Sequence, residues 1–243
     1  LCTHAYAPIG YSENCHNWKT HRKILSGAFT DNCLKKYVNI IHKIGVEYVN
    51  RLKSDACTSD ISKTNNNDLL GTDGIIHDIN EFMAEITYKV LAMTVMGGDE
   101  WLRHIKSPGT LEEVEGALKV VTSLTFIPSY LWNYIPVPNK QKAIDNYKKQ
   151  GKIGHALITS IREKNLPGDS IMHFLIHHDS KLTDTEIMGE LMGFVMAGHE
   201  TTSNALSFAL VALAMKPELQ VKARAEIVRV LGSLSAELKY EHI

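Results

Sequence analysis

Along most of this chain apolar side chains recur at spacings of three and four, the period of an α-helix with one face turned to a core. The period-two alternation of a half-buried strand is almost absent. The spacing therefore predicts a mainly α-helical protein. A first helix starts near Cys15 to Trp18 and pauses around Gly27. A second runs from Thr30 to about Lys53, with Leu34, Val38, Ile41 and Val49 on one side and Asp31 and Asn32 as capping groups near its start. A third covers Ile75 to Met96, turns Phe82, Ile86, Val90 and Met93 inward, and is closed by Gly97 and Gly98. Another follows the turn at Ser107, Pro108 and Gly109, from Leu111 to about Leu124.

Lys140 to about Lys164 reads as an amphipathic helix ended by Pro167 and Gly168. Asp184 caps a pattern that continues without a proline to Met215, about 30 residues or roughly 45 Å of helix. Pro217 then opens a last helix to Leu231, with Gly232 behind it. Two stretches break the pattern. Thr58 to Gly74 is rich in Ser, Thr, Asn, Asp and Gly and reads as a surface loop. Phe126 to Pro138 sets Phe126, Tyr130, Trp132 and Tyr134 among three prolines; it is either a connector tucked against the core or a functional lid.

Composition narrows the function classes. With 243 residues and 44% hydrophobic side chains the chain can bury a sizeable core, which excludes a disordered protein. Its 26 basic and 27 acidic side chains give a net charge of −1, without the basic surplus that nucleic-acid binding needs. Cys2, Cys15, Cys33 and Cys57 show neither a C-x-x-C pair nor a disulfide spacing. The longest uncharged apolar stretch, Thr201 to Met215, is shorter than the roughly 20 residues that cross a bilayer. The first residue is Leu1, with no signal-type start, and the chain reads as a segment cut from a longer one.

Chemistry concentrates in the long helix. An apolar lead, Leu191 to Met196, runs into Ala197-Gly198-His199-Glu200-Thr201-Thr202 and back to apolar residues. Gly in a helix interior loses about 1 kcal/mol against Ala, and buried Glu or Thr side chains need partners, so stability alone does not explain the insert. Ala197, Gly198 and Thr201 share one face and form a shallow notch with a hydroxyl in it. Threonine back-bonding can open the helix there and admit water or a diatomic ligand, while Glu200 stands to the side as a proton carrier. The plainer reading is a kinked core helix with a satisfied Thr pair. His173 and His177 have a zinc-compatible i, i+4 spacing, with His178 next, but no third ligand is evident, so surface histidines are the default reading.

The insert resembles the oxygen-activation signature of the long distal helix of cytochromes P450. Its lead-in Leu182-Thr183-Asp184-Thr185-Glu186-Ile187 and the exit Lys216-Pro217-Glu218-Leu219-Gln220 resemble the ends of that helix. Upstream, Asn17 to Leu25 with Ala28-Phe29 resembles the family's W-x-x-x-R helix. The resemblance implies a cytochrome P450-like helical fold, with residues 1–243 as a single partial domain running from the W-x-x-x-R helix through the helix after the long oxygen-binding one. It implies haem b as cofactor, Trp18 and Arg22 on a haem propionate, Ala197 and Gly198 lining the oxygen notch, and Thr201 and Glu200 as the catalytic pair that delivers protons for O–O cleavage. The indole N–H and the forked guanidinium one turn apart suit a carboxylate. Lys19, Lys23, Lys35 and Lys36 are implied to help receive an acidic electron-transfer partner, a solvated face being the other reading.

The family's haem-ligating cysteine motif, its E-x-x-R helix and its N-terminal region have no counterpart in these residues, and the axial thiolate is expected outside the chain. The parent is accordingly read as a haem-thiolate monooxygenase that inserts one atom of O2 into an organic, lipophilic substrate. Its electrons come from NADPH through a cytochrome P450 reductase or similar donor, at the cytosolic face of the endoplasmic reticulum membrane. The fragment alone is read as inactive. Two alternatives stand beside this: a truncated P450-like interaction module without catalysis, and an unrelated helical metal binder using His173 and His177. Mixed with haem, dithionite and carbon monoxide, the 243-residue chain is expected to lack the thiolate-type Soret band, because none of its four cysteines has an axial-ligand setting; difference absorption spectroscopy checks this.

Overall fold

The computed structural model describes residues 15–57, 78–104, 116, 120, 131, 134, 136–178 and 182–243, and among them there are helices and turns but no strand. The helices are α1 (Cys15–Ser26), α2 (Asp31–Cys57), α3 (Ile79–Thr94), α4 (Asp99–His104), α5 (Lys140–Lys164), α6 (Ile171–His177), α7 (Asp184–Met215) and α8 (Pro217–Leu231). Short 3-10 turns follow α1 at Gly27–Phe29 and close the chain at Tyr240–His242. Two compact units emerge, one made of the stretch through Thr30 with Leu91–Gly198, the other of Asp31–Val90 with His199–Ile243.

The first unit is built around the leading half of α7. Ile187, Met188, Leu191, Met192 and Val195 are buried there, in a core shared with Leu25 and Ala28, Leu157, Ile158 and Ile161 of α5, and Ile171, Met172 and Leu175 of α6. Helix α3 ends in this unit, where Gly97 and Gly98 take positive φ of 95° and 74°, a region open to glycine. A side chain on Gly97 would also stand 3.2 Å from both Leu157 and Met172. The turn lets Met172 N–H donate to Val95 C=O at 3.0 Å. Gly154 plays a similar part on α5, since any Cβ there would collide with the Met188 side chain.

The start of α7 is capped by Thr183 rather than by Asp184. Thr183 Oγ1 accepts from Glu186 N–H at 3.3 Å, and Glu186 Oε2 accepts from Thr183 N–H at 2.7 Å, a reciprocal capping box. Asp184 is freed to pair with Arg162 of α5 at 2.8 Å.

In the second unit α2 buries Tyr37, Val38, Ile44 and Tyr48, while Ile41 and Val49 stay about half exposed. Two tyrosines thus take inward places that the apolar spacing assigned to aliphatic residues. Tyr48 stacks edge-on against Phe82 at 5.8 Å and donates to Glu85 Oε1 at 2.8 Å. Burial first, and Glu85 second, push its phenol well above the usual range. Helix α3 begins at Ile79, later than the apolar pattern suggests, because Asp78 accepts from the N–H groups of Asn80 and Glu81. Phe82, Met83, Ala84 and Thr87 face inward, whereas Ile86, Val90 and Met93 are only partly covered. Tyr240 closes the chain onto α2 by donating to Asp31 at 3.2 Å.

Helices α5 and α8 follow their predicted bounds. The short α4 and α6 were not legible from periodicity, having too few turns to show one. Of the helix expected over Leu111 to Leu124 only Gly116 and Val120 are described, both helical. The Thr58–Gly74 loop lies outside the described residues, as does the aromatic stretch from Phe126 apart from Leu131, Tyr134 and Pro136 to Pro138.

No residue of α8 is buried, and Phe208 (74%), Met215 (75%) and Val221 (65%) are the most exposed apolar side chains of α7 and α8. Each large apolar side chain left in water forfeits roughly 1.5–3 kcal/mol against a domain stability of about 5–15 kcal/mol. The isolated chain is therefore expected to be helical by far-UV circular dichroism, to bind anilinonaphthalene sulfonate and to melt without a cooperative transition. A sharp reversible melt with no dye binding would overturn that expectation.

Candidate functional site

Helix α1 has two different sides. His21, Leu25 and, just beyond the helix, Ala28 are buried, whereas Trp18 is 40% exposed and Arg22 is exposed. Trp18 and Arg22 lie one turn apart, so they share a side. Neither the guanidinium nor the indole N–H has a partner among the described residues. Such a pair of open donors, one of them permanently charged, fits a carboxylate-bearing ligand.

The inward side of α1 is held by a contact that the residue pattern did not disclose. Glu190 of α7, 1% exposed, stands with Oε1 3.0 Å from His21 Nδ1, and Glu186 Oε1 lies 3.8 Å from His21 Nε2. The signal available in the sequence was Glu190 itself, a carboxylate at a position of the apolar stripe between Ile187 and Leu191. Phe29, next along the chain, sets its ring 5.7 Å from that of Phe194.

Helix α7 runs as uninterrupted α-helix through the polar insert, so its threonines do not break it. Hydroxyls sit on main-chain acceptors there: Ser203 Oγ donates to Glu200 C=O at 3.0 Å and Ser207 Oγ to Ser203 C=O at 2.8 Å. Thr87 Oγ1 donates to Ala84 C=O at 3.1 Å and reaches His199 C=O at 3.4 Å. His199 is 1% exposed and meets the Tyr88 ring edge-on at 6.0 Å. Both Thr87 and His199 contribute here without having been singled out in the sequence.

The proposed notch residues fall as follows. Ala197 and Thr201 are exposed and Gly198 and Glu200 partly so. The Glu200 carboxylate has no partner among the described residues. Gly198 carries a packing role as well, because a Cβ on it would stand 3.1 Å from Leu91 Cδ2. Ala197 and Gly198 belong with Trp18 and Arg22 to the first unit, Glu200 and Thr201 to the second.

The rings of the histidine pair are met by neighbours within their own turn. His173 is buried, its Nδ1 lies 2.8 Å from Ser170 Oγ, and His177 Nε2 is 3.1 Å from Leu166 C=O. Both rings thus serve the turn around α6, which also corrects the reading of His173 as a surface histidine. No metal-holding group of three ligands occurs among the described residues. Lys35, assigned to a basic face, is exposed and lies 3.9 Å from Glu241 and 5.8 Å from the Tyr240 ring centroid.

Residues 9–243 match the family model described as Cytochrome P450. The chain belongs to the cytochrome P450 family. Among curated P450 relatives, Cytochrome P450 3A7 of Homo sapiens is 27% identical over 93% of this chain and 46% of its own length. The Bifunctional cytochrome P450/NADPH--P450 reductase ALT2 of Alternaria alternata is 27% identical over 66% of this chain and 15% of its own. The P450DA heme domain, known from a crystal structure, superposes with a TM-score of 0.69 at 18% identity, over 95% of this chain and 47% of that one. The helical fold is therefore the P450 fold, and the chain spans about half the length of the leading curated P450 relatives, 41% and 46% of two of them.

Burial lowers the His173 pKa below 6.5, neighbouring His177 adds to this, and Asp169 opposes it. The unfolded chain then takes up the proton first, so the stabilisation is present above about pH 6.5 and is lost as pH falls below that value toward the folded pKa. Amides of α6 are expected to exchange faster, relative to their intrinsic rates, at about pH 5.5 than at about pH 7.5. Replacing His173 by Gln should flatten the difference in hydrogen-exchange mass spectrometry.

Proposed function

We propose that residues 1–243 are the distal part of a single P450 domain in a haem-thiolate monooxygenase acting on an organic, lipophilic substrate. The observation that carries this reading is the α1 side where Trp18 and Arg22 present N–H donors with no partner among the described residues, in a chain matched as cytochrome P450 over residues 9–243. The donor set fits haem through its propionates: Arg22 supplies a forked charged donor and Trp18 a single N–H. When bound, haem supplies the reductive activation of O2 and the transfer of one oxygen atom to substrate.

The chain's own residues bind and move protons. Ala197 and Gly198 keep one side of α7 low enough for a diatomic ligand to approach. Thr201 Oγ1, one helical turn beyond Ala197, holds a proton, and the Glu200 carboxylate, partly in solvent and unpaired among the described residues, resupplies it. NADPH as the electron source is supported by a relative whose name joins a P450 to an NADPH--P450 reductase; in this chain's case the donor is a reductase or similar partner. We assign the parent to the cytosolic face of the endoplasmic reticulum membrane on family resemblance. No helix among the described residues is long and apolar enough to cross a membrane.

In the full-length protein Thr201→Ala should divert reducing equivalents to hydrogen peroxide, cutting product per NADPH by about tenfold or more while haem content stays nearly unchanged. Parallel assays of NADPH, peroxide and product check this. Unaltered coupling would make Thr201 a structural residue.

A further inference from the structure

A histidine 3% exposed and a glutamate 1% exposed, 169 residues apart in sequence, meet at 3.0 Å where α1 lies on α7. Leu25 and Ala28, farther along from His21, and Ile187 and Leu191, beside Glu190 on α7, are buried as well. With Glu190 ionised, its oxygen accepts and the His21 ring nitrogen donates. Glu186, one turn back along α7, stands 3.8 Å from the other ring nitrogen. The imidazole is thus bracketed by two carboxylates that project from the same side of α7.

Such a pair is a poor device for stability. Removing two ionisable groups from water offsets most of what their attraction contributes, and apolar residues of similar volume generally do as well or better. Its distinctive property is direction. Apolar side chains tolerate a small roll of one helix on another, whereas a hydrogen bond weakens steeply with misalignment. On α1 the same azimuth governs the two open donors: His21 is about 60° around the helix from Trp18 and about 100° from Arg22.

We propose that His21 and Glu190 are positioning residues that fix the rotation of α1 on α7 and thereby aim Trp18 and Arg22 at the carboxylates of the cofactor. This rests on the haem reading above for its consequence, but not for the contact itself. The pair acts through Trp18 and Arg22 and touches no ligand.

The test uses the full-length, haem-loaded protein. His21→Leu alone leaves Glu190 buried beside an apolar side chain and is expected to fold poorly. The decisive variant is therefore His21→Leu/Glu190→Leu, which removes both groups together. Its urea midpoint should equal or exceed that of the unmodified protein, while haem release to excess apomyoglobin accelerates roughly tenfold, the scale on which supporting partners act on a bound metal group. Glu190→Gln, which keeps an acceptor for the ring N–H, should release haem at nearly the unmodified rate. A double variant that holds haem as tightly as the unmodified protein overturns the proposal.

Arg22→Ala separates the two readings. If it leaves haem release unchanged, the propionate assignment falls, and the pair is judged by hydrogen exchange of the α1 amides in the cofactor-free double variant. Selective loss of α1 protection at an unchanged urea midpoint supports the positioning role, and unchanged protection overturns it.

Discussion

A buried helix that carries polar side chains must meet each of them with a partner, because an unpaired polar group taken out of water forfeits its hydration with nothing in return. Helix α7 meets that constraint at Glu190, Glu186 and Asp184. Glu190, deep in the first unit, is met by His21; Glu186 caps the helix through Thr183; Asp184 meets Arg162 at the helix start. Farther along, Ser203 and Ser207 satisfy themselves on carbonyls of their own helix. The contacts that anchor α7 are therefore the ones that dock α1 and tie the end of α5 in the first unit.

Helix α1 shows how one element serves two purposes. Its inward side is consumed by the core and by Glu190, while its outward side keeps Trp18 and Arg22 without partners among the described residues. A permanently charged guanidinium left open beside an indole contributes little to folding, and its chemistry points outward to an anion. The polar insert of α7 has a similar division. Gly198 admits Leu91 and so has a packing reason to be small, whereas Glu200 is partly exposed and Thr201 exposed.

Much of the fold was legible because long amphipathic helices announce their bounds. Lys140–Lys164 and Pro217–Leu231 end where Pro167, Gly168 and Gly232 say they should. What escaped depended on contacts distant in sequence. Apolar spacing discounts tyrosine, yet Tyr48 is buried because Glu85 accepts its hydroxyl. It reads histidine as solvated, yet His21 and His173 are interior because Glu190 and Ser170 are there to meet them. The site residues announced themselves differently, through a composition that made no sense as a stability choice. Nothing in that composition named the partner holding α1 in place, since the relation between residues 21 and 190 exists only once the chain has folded.

Gly154 and Met188 also stand far apart along the chain, on α5 and α7, and each occupies space denied to the other. A larger residue at 154 therefore requires the Met188 thioether, the flexible end of its side chain, to swing aside or be shortened, so the gap between α5 and α7 is set by how far one thioether can move.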